Sequence, residues 1–137
     1  MNLSSFDLSS SDPITYPQNS YLGNGGDFVL LAQNDVQLSS GSQLLSYGLL
    51  GGNIRFNIDG TFLADNAVIR SDTYTSVVGS QGGDLSITAN QIQAVNGSSF
   101  SANTLGKGNA GAIDITATED IFLAGENSQG FVSGFVS

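Results

Sequence analysis

Four stretches of the chain repeat one pattern of apolar and polar positions. They are Gly25-Gly26-Asp27-Phe28-Val29-Leu30-Leu31-Ala32, Gly51-Gly52-Asn53-Ile54-Arg55-Phe56-Asn57-Ile58, Gly82-Gly83-Asp84-Leu85-Ser86-Ile87-Thr88-Ala89 and Ala110-Gly111-Ala112-Ile113-Asp114-Ile115-Thr116-Ala117. In each, small residues and one short residue precede apolar side chains at every second position. That alternation is the signature of a half-buried strand, because successive side chains point to opposite faces. Each unit continues with a second alternating run, at Val36 and Leu38, Phe62 and Ala64, Ile92 and Ala94, and Ile121 and Leu123. A third follows a short turn, at Leu44 and Ser46, Ile69 and Ser71, Phe100 and Ala102, and Phe131 and Ser133.

The glycines Gly26, Gly52, Gly83 and Gly111 set a period near 28 residues with some slack. Aligned on them, the units form inward columns: Phe28, Ile54, Leu85 and Ile113; Leu30, Phe56, Ile87 and Ile115; Val36, Phe62, Ile92 and Ile121. The positions between are expected to face water. Three short runs cannot bury one another within a single unit, whereas stacked units close a shared core and pair each strand with its counterpart about 4.8 Å away. The predicted fold is therefore all-β: a β-solenoid, or parallel β-helix, with about three short strands per coil. The glycines mark corners, where a positive φ or a close backbone approach is needed.

Phe6, Leu8, Ile14 and Tyr16 have the spacing of Val36, Leu38, Leu44 and Ser46, so the chain is expected to open inside a coil. Residues 1–22 then form a partial coil, with coils starting near residues 25, 51, 82 and 110. The whole of 1–137 reads as one solenoid segment. Neither end carries an amphipathic helix or a charged cap, which points to a slice of a longer array.

Composition narrows the chemistry. The chain has 18 Gly, 2 Pro, no Cys and no His, and no run with helical spacing of apolar residues, so little helix is expected. Without Cys there is no disulfide framework or thiolate site, and without His the commonest general base and transition-metal ligand is missing. A net charge of -9 with only three Lys plus Arg disfavours nucleic acid and anionic membranes as partners. No stretch approaches the roughly 20 apolar residues that span a bilayer, and Met1 to Ser11 lacks the basic and apolar regions of a signal peptide.

The repeats at Gly82 to Ala89 and Gly108 to Ala117, with Asn96-Gly97-Ser98-Ser99-Phe100-Ser101-Ala102 between them, resemble those of filamentous haemagglutinin-like proteins, most of all the large cyanobacterial members. The resemblance covers roughly Phe6 to Ser133 and rests on repeat grammar. It implies a right-handed β-helical rod, exported by two-partner secretion through an outer-membrane transporter and displayed outside the cell or on the outer-membrane surface in adhesion or aggregation. The family's secretion domain carries Asn-Pro motifs, and no Asn-Pro pair occurs here, so export belongs to the parent protein. The ligand, whether host, cell-surface or polysaccharide, is left open by the resemblance.

Other motifs give weaker signals. Gly23-Asn24-Gly25-Gly26-Asp27 resembles the calcium-binding nonapeptide, but that motif recurs every nine residues and the Asp27 position becomes Asn53 and Ala112 in other units. Lys107-Gly108 lacks the Ser or Thr and the following helix of a phosphate loop. Asp59 with Asp65, or Glu119 with Asp120, would be the acid and base of a carbohydrate-active β-helix, a lyase or glycoside hydrolase. Thr73-Tyr74-Thr75 occurs once and so makes no flat threonine ladder. No catalytic, cofactor or metal residue is assigned, and no enzyme activity or cofactor is expected. The longest inter-unit loop, Asp72 to Gln81, is the expected partner-contact site, with Tyr74, Val77 and Val78 on it and Tyr47 beside it.

Overall fold

The computed structural model describes residues 2–7, 24–73, 79, 81–104 and 106–136. It is a parallel β-solenoid. After β1 (Asn2–Asp7), the first coil contains β2 (Phe28–Ala32) and β3 (Val36–Gly48), and the second contains β4 (Ile54–Ile58), β5 (Thr61–Asp65) and β6 (Val68–Thr73). The third holds β7 (Leu85–Val95) and β8 (Ser99–Ser101), and the last holds β9 (Ile113–Ala124) and β10 (Gly134–Val136). There is no helix among the described residues. Strands pair with the same run of the next coil, always in parallel.

The register is the one the alternation predicts. Phe28 pairs with Ile54, Ile54 with Leu85 and Leu85 with Ile113; Val36 pairs with Phe62, Phe62 with Ile92 and Ile92 with Ile121. The inward side chains of the middle coils are buried, with Ile54, Phe56, Phe62, Leu85, Ile87 and Ile92 at 0% exposure. Each such burial contributes about 1.5–3 kcal/mol. A line of phenylalanines crosses the core, with ring centroids 5.4 Å apart for Phe28 and Phe56, 5.1 Å for Phe56 and Phe62, and 6.4 Å for Phe62 and Phe100. The slip of one residue between the first and second runs of the third coil is a register irregularity inside β7, between Ala89 and Gln91. There it leaves the facing of both strands intact.

Two registers differ from the sequence expectation. The column of Leu44, Ile69 and Phe100 continues to Phe135, not Phe131: Phe135 pairs with Phe100 and its ring lies 4.9 Å away, while Phe131 is 62% exposed. The cause is an excursion over residues 126–132, closed by an antiparallel bridge between Glu126 and Val132 and by Asn127 Oδ1, which accepts the Gln129 and Phe131 N–H groups. Ser133 then re-enters the corner. Its hydroxyl accepts the Gly97 and Ser98 N–H groups and donates to the Ala124 carbonyl, much as Ser98 accepts the Ala67 N–H and shares its hydrogen between the Ala64 and Val95 carbonyls. At the other end, Phe6 stands beside Leu44 and Leu3 beside Leu38, whereas the spacing placed Phe6 with Val36. A register irregularity between Leu3 and Ser5 lets a short segment reach both columns. Leu8, Ile14 and Tyr16 lie outside the described residues.

The outward positions also depart from the expected all-polar pattern. Val29 and Leu31 point out of the first coil at 63% and 70% exposure.

Candidate functional site

Two of the corners of a coil have distinct chemistry. At the glycine corner the backbones of neighbouring coils come so close that a Cβ on Gly52 would collide with the Gly26 carbonyl, one on Gly83 with the Gly52 carbonyl, and one on Gly111 with the Gly83 carbonyl. Close approach is therefore what these glycines provide; the left-handed backbone lies elsewhere. Buried serines of the third run seal the corner: Ser46 Oγ donates to the Gly26 carbonyl at 3.0 Å and accepts the Gly52 N–H at 3.1 Å, and Ser71 Oγ donates to the Gly52 carbonyl at 2.6 Å.

The residue after each glycine pair forms a second ladder. Asp27 Oδ1 accepts the Asn53 N–H at 2.7 Å, Asn53 Oδ1 accepts that of Asp84 at 2.9 Å, and Asp84 Oδ1 accepts that of Ala112 at 2.8 Å. This explains why Asp and Asn interchange: both offer a carbonyl-type oxygen at the same reach, and that oxygen serves the backbone. Asp84→Asn should leave thermal stability nearly unchanged, while Asp84→Ala should cost about 1 kcal/mol, because the exposed Ala112 N–H would then rely on water. Thermal unfolding followed by circular dichroism measures the difference, and equal effects of the two variants would refute the ladder's contribution.

At the corner between second and third runs the residues with positive φ stack: Gly41 at 79°, Asn66 at 47°, Asn96 at 55° and Gly125 at 78°. Asn and Gly are the residues that tolerate this left-handed backbone.

The root of the long loop holds a charged cluster on the third runs of two neighbouring coils, β6 and β8. Asp72 is fully buried, with Arg70 Nε 3.0 Å from its Oδ2. The Arg70 N–H is directed at Ser101 Oγ, 3.3 Å away. Asp72 Oδ1 accepts the Ser101 hydroxyl and the Asn103 N–H, both at 3.0 Å. Thr73 Oγ1 donates to the Gln81 carbonyl at 2.9 Å, and Gln81 bridges Leu50 and Asn109, so both ends of the loop are held to the stack. Tyr47 is half-buried on β3, its Cα paired with that of Asp72. Tyr74, Val77 and Val78 lie outside the described residues. The Asp72 cluster was not foreseen from sequence. The available signal was Arg70 and Asp72 two apart on one strand in a chain with only three cations.

The carboxylates suggested as acid and base do not converge in the case of Asp59 and Asp65. They flank opposite ends of β5, roughly 15–20 Å apart at the rise of an extended strand, whereas glycoside chemistry needs about 5–9.5 Å. Asp65 Oδ1 accepts from Asn96 Nδ2 at 2.8 Å. Glu119 is exposed and accepts from Gln91 Nε2 at 2.8 Å, and Asp120 follows it on β9, paired with Gln91. Among the described residues no three carboxylates cluster as a metal site. Lys107 lies in an exposed bend.

The fold and its corners define the class as a parallel β-solenoid with a period near 28 residues, made of coils joined by ladders. No family model, curated protein or solved structure matches the chain.

Proposed function

We propose that the chain is a structural and adhesive repeat segment of a secreted or surface-exposed adhesin of the filamentous haemagglutinin-like kind, without enzymatic activity. The observation that supports this reading most is the unbroken coil-to-coil coupling. Among the described residues the strand runs, the glycine and serine corner and the Asp/Asn ladder connect one coil to the next, and none of them converges on a cleft. Such a stack resists bending because any bend must open backbone ladders and an apolar column together. Its task in this reading is to hold a binding surface away from the cell. The export partner is an outer-membrane transporter acting on other parts of the parent protein. The alternative, a carbohydrate-active β-helix, requires two carboxyl groups at catalytic separation, and the placement of Asp59 and Asp65 at opposite strand ends weighs against it.

The test is the location of the parent protein. Cells producing it are treated with an external protease and probed with an antibody to this segment, with and without the neighbouring transporter gene. Cleavage that depends on the transporter is expected. Full protection in intact cells, or indifference to the transporter, would overturn the reading.

A further inference from the structure

The last coil ends in an uncovered strand edge. Among the described residues β9 pairs only with β7 and β10 only with β8, so this coil is open on the side away from the stack. The columns that are sealed one coil earlier are open here: Ile92 and Ala94 are at 0% exposure, while Ile121 and Leu123 below them are at 48% and 42%. Ile113, Ile115, Ala117 and Phe135 are only half-buried for the same reason. The backbone is open as well. Leu85 N–H donates to the Ala112 carbonyl at 2.9 Å, and in a parallel ladder this turns the main-chain groups of Asp114 and Thr116 toward β7 and those of Ile113, Ile115 and Ala117 to the open side. At 12 residues β9 is a long edge, and its inward positions carry no charge or proline of the kind that blocks strand addition.

We propose that this end is a dimer interface, at which a second copy of the chain pairs its own β9 antiparallel to this one about a two-fold axis. Nothing in this pairing requires the adhesive reading above. What decides the occupant is that the end continues, edge for edge and column for column, the surface by which each coil already holds the next. A lone extended peptide pairs with one run and leaves the others open. A head-to-tail copy meets a stepped surface. There β1 stands on the second and third runs of the first coil, whereas no strand among the described residues stands on β2, so the two levels differ by one strand spacing of about 4.8 Å. Two like ends avoid that step, because the same surface serves both partners. Centring the axis on Ile115 sets it opposite the partner's Ile115 and sets Ile113 opposite the partner's Ala117, each pair exchanging two main-chain hydrogen bonds. With the axis perpendicular to the sheet, inward side chains stay inward, and Ile121 and Leu123 come over the partner's Phe135. Asp114 then stands opposite the partner's Thr116, so the carboxylates of the two first runs do not face each other although each chain carries a net charge of -9.

Sedimentation velocity of the purified chain over a concentration series tests this. A reversible dimer is expected, with a dissociation constant on the order of 10 μM because one coil end is a small interface. Raising the salt should tighten it by screening two acidic chains from each other. Ile115→Pro removes a main-chain donor that faces the open side, so it should keep the wild-type circular dichroism spectrum and weaken the dimer about tenfold or more. Leu123→Lys puts a charge into the same interface and should do likewise, which keeps the test decisive if the proline variant fails to fold. Leu31→Pro removes the corresponding open-side donor on β2 and should leave the dimer unchanged. Ile115→Cys, in a chain without cysteine, should cross-link to its own copy on oxidation, since hydrogen-bonded partners across an antiparallel pair lie about 5.5 Å apart at Cα. A chain that stays monomeric at every concentration would overturn the proposal, as would loss of the dimer in Leu31→Pro, which would mean head-to-tail stacking. A dimer that persists in both Ile115→Pro and Leu123→Lys, or that gives no cross-link in Ile115→Cys, lies on another surface and overturns it too.

Discussion

Replacing Ile87 with Asp should abolish the fold. Ile87 is fully buried between Phe56 on one side and Ile115 on the other, in a column shared by successive coils. A carboxylate there has no cation within the core and would lose its hydration without compensation. The cost is at least several kcal/mol, against a total stability of about 5–15 kcal/mol for a domain of this kind. The expected result is loss of the β circular dichroism signal and aggregation. Ile87→Val, which removes one methylene, should remain folded at a cost of about 0.5–1.5 kcal/mol. Ile115→Asp should be milder than Ile87→Asp, since Ile115 is only half-buried and its carboxylate reaches water from one side. A soluble Ile87→Asp protein with an unchanged spectrum would show that the column is misassigned.

Gly83→Ala should have the second largest effect, through a different mechanism. The added methyl would meet the carbonyl of Gly52 and lie 2.5 Å from Ser71 Oγ. The Gly52 contact is backbone, so no rotamer change relieves it; the two coils must separate at the corner where Ser71 donates to the same carbonyl. Overpacking of this type costs about 3 kcal/mol, which lowers the unfolding midpoint by about 10 °C. Gly41→Ala is the control. At Gly41 nothing lies within 4 Å of an added Cβ, but φ is +79°, so the penalty is backbone strain alone, about 1 kcal/mol. Thermal unfolding of the two variants should therefore rank Gly83→Ala well below Gly41→Ala. The reverse order would mean that backbone conformation, and not coil spacing, is what the paired glycines serve.

The contrast between those two glycines shows where sequence reading stops. Gly83 and Gly41 are the same residue, and the repeat marks the first as a corner without saying why glycine is needed there. Whether a corner requires a positive φ or a missing Cβ depends on how near the neighbouring coil comes, which is a distance between segments 31 residues apart. Asn66 and Asn96, which share the left-handed corner with Gly41, give no warning in the sequence either, since asparagine is common throughout the chain. The same limit applies to the serines. Ser46 and Ser71 sit at inward positions of the alternation and read as small polar residues at a strand end, while their task is to tie one coil's carbonyl to another's amide.

Loops set a different limit. The excursion over residues 126–132 has Phe131 and Ser133 at strand spacing, so the period-two rule accepts it as a third run. In the structure the antiparallel bridge and the Asn127 turn use that segment locally, and Phe135 takes the place in the core. Alternation cannot separate two candidate pairs that both satisfy it. Packing can, because only one phenylalanine can stand on Phe100.

By itself the sequence determined the parallel solenoid, its period near 28 residues and the register of the first and second runs. A period of two along each run, repeated from unit to unit, permits only one stacking that buries every apolar column. Tertiary structure alone decided why the paired glycines are glycine, that Asp72 is buried beside Arg70 and Ser101, and that Phe135 closes the last column. Each of these depends on what the adjacent coil places within a few ångströms, and contacts between residues so far apart in the chain leave no local pattern to read.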